Sequence, residues 1–336
     1  MGDKTGIEWT DATWNPIRGC SRVSEGCRNC YAEKVAARFS GEGQPYEGLM
    51  AKSGRWNGQI KFVEHLLDQP LRWKKPRRIF VNSMSDLFHE NIPFDFIDRV
   101  FAVMAMCPQH TFQILTKRPE RMLEYFNNTG GVSRRDWVLI AVSRVTRKSR
   151  VDSFQWPLHN VWLGVSVEDQ KTADERIPLL LQTSAAVRWI SAEPLLGEID
   201  LRKLNADGFA YDLDELNGES NEETFYENIS LDWVVVGGES GKSARPMHPD
   251  WARKLRAQCV ESNVPFLFKQ WGQWKEINLS ESVGEKEWYI INKNGVIDIP
   301  DDRTPSEDIG EVAMIEVGKK KAGRTLDGRT WDEYPV

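Results

Sequence analysis

The chain has 336 residues and a formal net charge of -6, and 40% of its residues are hydrophobic. This apolar content is enough for a large core, which excludes an intrinsically disordered chain. Five cysteines are too few for a disulfide-stapled secreted scaffold, and no apolar run approaches the ~18 residues that a membrane span requires. Because the first residues also lack a signal-peptide pattern, we expect a cytoplasmic protein without membrane contact.

Short β-branched runs alternate with amphipathic helical patterns along the chain, which predicts parallel βα units. A strand is also expected just before Cys20, so the count reaches about seven strands. We therefore predict an α/β fold, a full or partial TIM-like (β/α) barrel. The predicted elements are, in chain order, a helix over 63–73, a strand over 78–82, a helix over 94–106, a strand over 111–115, a helix over 119–126, a strand over 161–167, a helix over 172–181, strands over 187–191 and 232–237, a helix over 249–262 and a strand over 265–269.

The predicted barrel occupies residues 1–273, and residues 274–336 form a small C-terminal β-rich appendage. Residues 205–230 are acidic and contain no basic residue, which indicates an inserted surface excursion. Two basic runs are either solvated surface or contacts for nucleic acid. The first run contains Lys74, Lys75, Arg77 and Arg78, and the second contains Arg144, Arg147, Lys148 and Arg150.

Three cysteines, Cys20, Cys27 and Cys30, lie within eleven residues of a loop that is rich in glycine and polar residues. A closed structural zinc site requires four ligands, whereas three thiolates can hold a [4Fe-4S] cluster and leave one iron open. None of the five histidines has finger-like spacing from these cysteines, although His89 and His248 lie near predicted strand ends. A zinc site with a distant fourth ligand is therefore the alternative to an iron–sulfur cluster.

The remaining interpretations of the cysteines are weaker. A redox CxxC pair would leave Cys20 unexplained. Cys107 and Cys259 lie at a helix end and in a helical pattern, so we interpret both as buried apolar residues. Whether either of them takes part in catalysis is open.

Polar residues follow six consecutive predicted strands. In a parallel barrel, functional residues gather at the carboxyl ends of the strands, so these positions predict a polar pocket. Taken alone, Asp86 is equally well explained as a helix cap. The candidate residues are Ser83, Ser85, Asp86, Lys117, Ser166, Glu168, Ser191 and Glu193.

The cysteine loop, with the run Cys27-Arg-Asn-Cys30-Tyr31 after the first strand, resembles the radical S-adenosylmethionine superfamily. Six residues separate Cys20 from Cys27, which departs from the common CxxxCxxC spacing. A closer resemblance is to a phage- and prophage-associated family of uncharacterised radical-SAM-like proteins, which is distantly similar to spore photoproduct lyase. The segments that carry this resemblance are Ile7–Pro16, Leu115–Pro119, Gly164–Val167, Ser191–Gly197, Gly237–Gly241, Phe268–Gly272 and Leu326–Asp332.

The resemblance implies a radical S-adenosylmethionine enzyme. Its three cysteines would bind the [4Fe-4S] cluster, and S-adenosylmethionine would bind the open iron and yield a 5′-deoxyadenosyl radical. The Ser83–Asp86 loop would contact the methionine amino group, and the other five candidates would line the nucleoside or substrate site. An electron donor such as flavodoxin or ferredoxin and a nucleic acid or nucleotide-like substrate are expected. The alternative is a zinc-bearing, non-catalytic protein that binds nucleic acid or a host partner.

Overall fold

A computed structural model describes residues 5–127, 130–145, 153–206, 209–212, 230–277, 288–298 and 304–335. Within these residues, seven strands form one sheet in the order β1-β4-β5-β6-β7-β10-β11. Four of the neighbouring pairs have a described register, and all four are parallel. The strands of this sheet are β1 (Ala12–Trp14), β4 (Arg78–Val81), β5 (Thr111–Thr116), β6 (Val161–Val167), β7 (Val187–Ala192), β10 (Trp233–Gly237) and β11 (Phe266–Gln270).

The α/β class and the strand count are thus confirmed. Among the described strands the sheet is open, because β1 and β11 are its first and last strands, so the partial barrel is the form that the described residues show. The cysteine loop follows a short outer strand, β2 (Ile17–Arg18), which pairs antiparallel with β3 (Lys61–Phe62) outside this sheet.

The described helices are α1 (Tyr31–Arg38), α2 (Glu64–Leu67), α3 (Phe94–Ala105), α4 (Pro119–Asn127), α5 (Arg134–Val145), α6 (Gln170–Leu181), α7 (Pro249–Glu261) and α8 (Lys319–Ala322). The helix predicted over 63–73 is instead two short pieces, α2 and the 3-10 helix Gln69–Arg72, with Pro70 near the start of the second. Proline cannot donate an intrahelical hydrogen bond, so it begins a new turn here. None of the described helices is long and apolar enough to cross a membrane.

A second sheet follows in the C-terminal part of the chain. Four antiparallel strands, in the order β12-β15-β13-β14, confirm that this part is rich in β-structure. They are β12 (Trp274–Ile277), β13 (Trp288–Ile291), β14 (Ile297–Asp298) and β15 (Val312–Glu316). The acidic segment begins with a hairpin of β8 (Lys203–Ala206) and β9 (Phe209–Asp212), and residues 213–229 lie outside the described residues.

Two compact units emerge from the packing of the chain. The first contains Met1–Val165 and Leu179–Trp189, and the second contains Ser166–Pro178 and Ile190–Val336. Strands β6 and β7 therefore contribute residues to both units. The predicted boundary at residue 273 stays a prediction.

Helix α5 was not predicted, and its attachment within the first unit explains why. The Arg134 guanidinium at the start of α5 lies 3.2 Å from the Asp98 carboxylate of α3, and its Nε donates to the Tyr125 carbonyl at 2.7 Å. The Tyr125 hydroxyl donates to the same carboxylate at 2.9 Å. This buried ion pair attaches α5 to α3, so the helix does not need a wide apolar stripe. The apolar periodicity of its sequence is therefore weak.

Stability should fall at acidic pH because His248 is buried. Its Nδ1 accepts from Asp250 N as the N-cap of α7, Nε2 bonds the Gly310 carbonyl at 3.0 Å, and burial lowers the pKa of the imidazole. Because the unfolded chain then binds the proton more readily, the unfolding free energy should fall as the pH drops below about 6.5. Urea titrations at about pH 7.5 and 5 should show a smaller loss of unfolding free energy for His248→Asn than for the wild type, because asparagine retains the cap but does not titrate. An unfolding free energy of His248→Asn that falls as steeply with pH as that of the wild type would contradict the prediction.

Candidate functional site

The thiol loop, residues 19–31, brings the three sequence-predicted cysteines together in the first unit. Consecutive turns shape it: Cys27 N donates to Ser24 O at 3.0 Å, and Cys30 N donates to Cys27 O at 3.3 Å. Helix α1 starts directly after Cys30. All three side chains are half-buried, and Cys27 and Cys30 both contribute to the electrostatic environment of the Cys20 thiol. The loop thus carries three half-buried sulfur donors within eleven residues.

Gly19 permits the entry into this loop. Its φ is +95°, and a Cβ added there would lie 2.2 Å from the Gln59 carbonyl oxygen. Gly19 also forms a parallel bridge with Ser85, in the loop after β4. Because the obstructing atom is backbone, the close approach requires glycine at this position.

Replacing Gly19 with alanine is expected to reduce the unfolding free energy by more than backbone strain alone would. Gly58 offers the matched control, since its φ is +82° and no atom lies within 4 Å of an added Cβ. Gly58→Ala should cost roughly 1–2 kcal/mol for the left-handed conformation. Gly19→Ala adds a clash that should raise the total to roughly 2–5 kcal/mol, as typical for overpacking. Urea unfolding measures both, and equal losses would contradict the argument.

The loop after β4, residues 82–86, packs beside the thiol loop. The register of β1 and β4 pairs Trp14 with Val81, so both strands end at the same level. Asn15 therefore reaches Ser83, with Nδ2 to Oγ at 3.1 Å, and the Ser85 hydroxyl donates to the Ile17 carbonyl at 3.0 Å. Both serine hydroxyls thus bond within the protein, and their contact with a cofactor stays a prediction.

Asn82, the first residue of that loop, is only 4% exposed. Its φ is +58°, a conformation that asparagine adopts more readily than most residues. Neither the amide nitrogen nor the amide oxygen of its side chain has a hydrogen-bond partner among the described residues. Leaving a buried polar group unpaired costs about 1–3 kcal/mol, so this amide is a candidate ligand contact.

Arg118, directly after β5, connects the two loops. Its Nη1 lies 3.0 Å from Asp86 Oδ2 and 3.9 Å from Cys20 Sγ. Its Nε donates to Glu90 Oε2 at 3.0 Å, and Nη2 donates to Ser21 Oγ at 2.7 Å. Burial by itself lowers the pKa of this guanidinium, but the adjacent negative charges outweigh burial and raise the pKa overall. A positive charge therefore lies beside the Cys20 sulfur.

Asp86 organises the same corner. Its carboxylate accepts hydrogen bonds from the Thr116 hydroxyl at 2.7 Å, Lys117 N at 3.1 Å and Phe88 N at 3.0 Å. With Arg118 as a further donor, the acceptor positions of this buried carboxylate are largely used within the protein. Asp86 is thereby a structural organiser, and its role as a cofactor contact stays a prediction, as does that of the half-buried Lys117.

Two of the three thiols have raised pKa values. The pKa of Cys20 is raised to about 12, mainly by burial and also by the Asp86 charge, while Arg118 lowers it. Burial also raises the pKa of Cys30. Redox-active CxxC pairs need a thiol with a depressed pKa, and the raised pKa of Cys30 disfavours that role for it, whereas a buried thiol can still lose its proton when a metal binds. Cys107 and Cys259 are buried, as expected.

The two histidines considered as zinc ligands both form hydrogen bonds through their ring nitrogens. His89 Nδ1 accepts from Asn91 N at 3.2 Å, and its Nε2 lies 3.1 Å from Ser21 Oγ. His248 caps α7 in the second unit. Among the residues that the structure describes, no group of three or more His, Cys, Asp or Glu side chains is arranged to hold a metal ion. The zinc site and the iron–sulfur cluster therefore both stay predictions.

The last four candidates lie together in the second unit. The Ser166 hydroxyl donates to the Glu193 carbonyl at 3.1 Å, and the Ser191 hydroxyl donates to Glu193 Oε2 at 3.3 Å. Lys269 Nζ pairs with Glu193 Oε1 at 2.9 Å. A neighbouring buried pair joins Glu168 to Arg176 at 3.2 Å. This unit thus contains a second polar group at strand ends, and its contact with a nucleoside or substrate stays a prediction.

The first basic run lies away from the thiol loop. The Lys74–Arg78 run precedes β4, whereas the residues beside the thiols follow it, so the run lies at the opposite end of that strand. The Arg77 guanidinium lies over the Trp73 ring at 4.8 Å, and Arg78 pairs with Asp11 at 3.5 Å. In the second run, Arg144 is in the last turn of α5, and its other members, in residues 146–152, lie outside the described residues.

Fold and site together define an α/β protein with an open parallel sheet and a three-thiol loop. The chain belongs to the family described as "Protein of unknown function (DUF5131)", whose model matches residues 4–335. No curated protein and no solved structure matches it. The expected membership of the radical S-adenosylmethionine superfamily, and of a phage-associated branch of it, is therefore wrong. That resemblance rested on a short cysteine loop whose Cys20–Cys27 spacing departs from the superfamily pattern, and short cysteine loops also occur in unrelated metal sites.

Arg118, Asn82 and Lys269 lie at or shortly after the ends of predicted strands, but the sequence did not single them out as candidate site residues. Arg118 and Lys269 stand out by their ion pairs and Asn82 by its buried, unpaired amide, which only the folded chain shows.

Proposed function

We propose that this protein is an enzyme that binds a [4Fe-4S] cluster through Cys20, Cys27 and Cys30 and cleaves S-adenosylmethionine there. The observation that carries the proposal is the grouping of three half-buried thiols in one loop, while Cys107 and Cys259 are buried in the core. Three thiolates on a four-iron cluster leave one iron open to a second ligand.

The donor set fits such a cluster. Soft thiolate ligands select iron–sulfur clusters, copper(I) or zinc, and in a cluster each sulfur binds a different iron. The three thiols therefore need not converge on one atom, as a zinc ion would require. The unpartnered Asn82 amide fits the second ligand, since it can donate to the carboxylate of an amino acid and accept from its ammonium group.

The residues around the loop would hold and shield the cluster. The turns of the thiol loop place the sulfurs, and Arg118 orients Cys20. A buried apolar cluster that includes Tyr46, Trp56 and Met84 packs against Cys20 and Cys30 and excludes water from that side. When bound and reduced, such a cluster would supply the one electron that splits the sulfonium C–S bond of S-adenosylmethionine into methionine and a 5′-deoxyadenosyl radical, which becomes 5′-deoxyadenosine by taking a hydrogen atom from the substrate.

The proposal includes a one-electron donor protein, such as flavodoxin or ferredoxin, and a nucleic acid or nucleotide as substrate. The support for this substrate class is the basic content of the two runs. Since the Lys74–Arg78 run lies at the far end of β4, contacts to a substrate at the thiol loop must come from other residues. A panel of nucleotides, RNA and DNA should therefore be compared for acceleration of 5′-deoxyadenosine formation.

Anaerobic reconstitution with iron and sulfide tests the proposal. The full chain should take up about four irons, show a broad visible absorption that dithionite bleaches, and form 5′-deoxyadenosine from S-adenosylmethionine. The same protein without added iron is the control. Colourless protein that holds one zinc and forms no 5′-deoxyadenosine would overturn the proposal.

A further inference from the structure

We propose that Arg118 is a positioning residue that orients the Cys20 sulfur and raises the reduction potential of the cluster. This inference rests on the proposed function and adds a role for a residue outside the thiol loop. Its basis is a buried, fully oriented cation beside one of the three thiols.

Several hydrogen bonds fix the orientation of the Arg118 guanidinium. Arg118 is only 7% exposed, and its planar fork is held by Asp86, Glu90 and Ser21 at distances of 2.7–3.2 Å. Ser21 also lies next to Cys20 in the chain, and both its hydroxyl oxygen and its carbonyl oxygen accept hydrogen bonds from Nη2. The guanidinium therefore anchors the loop at the residue after the thiol and directs Nη1 toward the sulfur at 3.9 Å.

The sign of the effect follows from the charges. Hydrogen bonds to the sulfurs and the net local charge set the potential of an iron–sulfur cluster. A cation with an N–H directed at Cys20 stabilises the added electron, which favours the reduced state. Without Arg118, the carboxylates of Asp86 and Glu90 would remain near Cys20 and oppose reduction.

Redox titration of reconstituted protein tests the inference. One electron from dithionite takes the cluster from the 2+ to the 1+ state, and electron paramagnetic resonance follows the reduced form. In Arg118→Met, reduction should become about tenfold less favourable, which corresponds to ~59 mV for one electron. Arg118→Lys keeps the charge but loses the fork, so its potential should lie between those of Arg118→Met and the wild type.

Arg121→Met is the matched control. Arg121 lies in the first turn of α4, three residues after Arg118, but it donates to the Ile92 carbonyl at 2.6 Å and its guanidinium lies over the Phe94 ring. The reduction potential of the cluster in Arg121→Met should equal that in the wild type. If Arg118→Met does not fold, Arg118→Lys decides the question.

Two failures are distinguishable in this experiment. Wild-type protein that takes up no cluster overturns the proposed function. A cluster-loaded Arg118 variant with the wild-type potential overturns this inference alone and leaves the proposed function standing.

Discussion

Cys27→Ala is expected to lower the iron content of the reconstituted protein to that of the apoprotein and to abolish formation of 5′-deoxyadenosine. Two thiolates cannot replace three as anchors of a four-iron cluster. Cys27 is the most informative of the three positions, because Cys20 and Cys30 also pack against the apolar cluster that contains Tyr46 and Trp56. Its loss should therefore affect metal binding more than folding.

Cys107→Ala is the control for this experiment. Cys107 is 1% exposed, so its replacement removes buried volume without removing a proposed ligand. It should retain the iron and the visible absorption of the wild type. Iron determination and absorption spectra of both variants provide the measurement, and full iron loading of Cys27→Ala would show that the cluster has other ligands.

Asp86→Ala is expected to reduce the unfolding free energy of the apoprotein by about 3–5 kcal/mol, the usual cost of removing one partner of a buried ion pair. The change leaves Arg118 with Glu90 as its remaining carboxylate partner, and Glu90 is 58% exposed. It also removes the acceptor of the Thr116 hydroxyl and of two backbone amides. Urea denaturation of the metal-free protein measures this loss separately from any contact with a cofactor.

Asp95→Ala is the matched control. Asp95 is an exposed aspartate in the first turn of α3, where a carboxylate contributes at most about 1 kcal/mol. If Asp86→Ala lost no more stability than Asp95→Ala, the carboxylate would not organise the loops, and its predicted contact with a cofactor would become the better explanation.

The strands of the sheet were predictable because their signal is local. Val234, Val235 and Val236 of β10 are all buried, as expected for a parallel strand covered on both faces. The same applies to β4 and β6. Helix α5 was missed because Arg134 pairs with Asp98, 36 residues earlier in the chain, and no short window of sequence reveals that partner.

For the site, residue types were predictable but their tasks were not. Ser83, Ser85 and Asp86 follow β4 as expected, yet their side chains bond to Asn15, Ile17 and Arg118. Asn82, one position earlier, has the buried amide without a partner. Position at a strand end thus predicts a polar neighbourhood, whereas hydrogen bonding decides which groups in it are available to a ligand.

By itself, the sequence determined the α/β class and the three sulfur donors, because strand-forming runs and the spacing of the cysteines are local properties of the chain. Only the tertiary structure decided that the sheet stays open and that a cation accompanies the thiols. Arg118 reaches Cys20 across 98 residues of sequence, and it does so because parallel strands bring the ends of β4 and β5 together. Burial then fixes the charges and pKa values of these groups, which depend on neighbours that are distant in the chain.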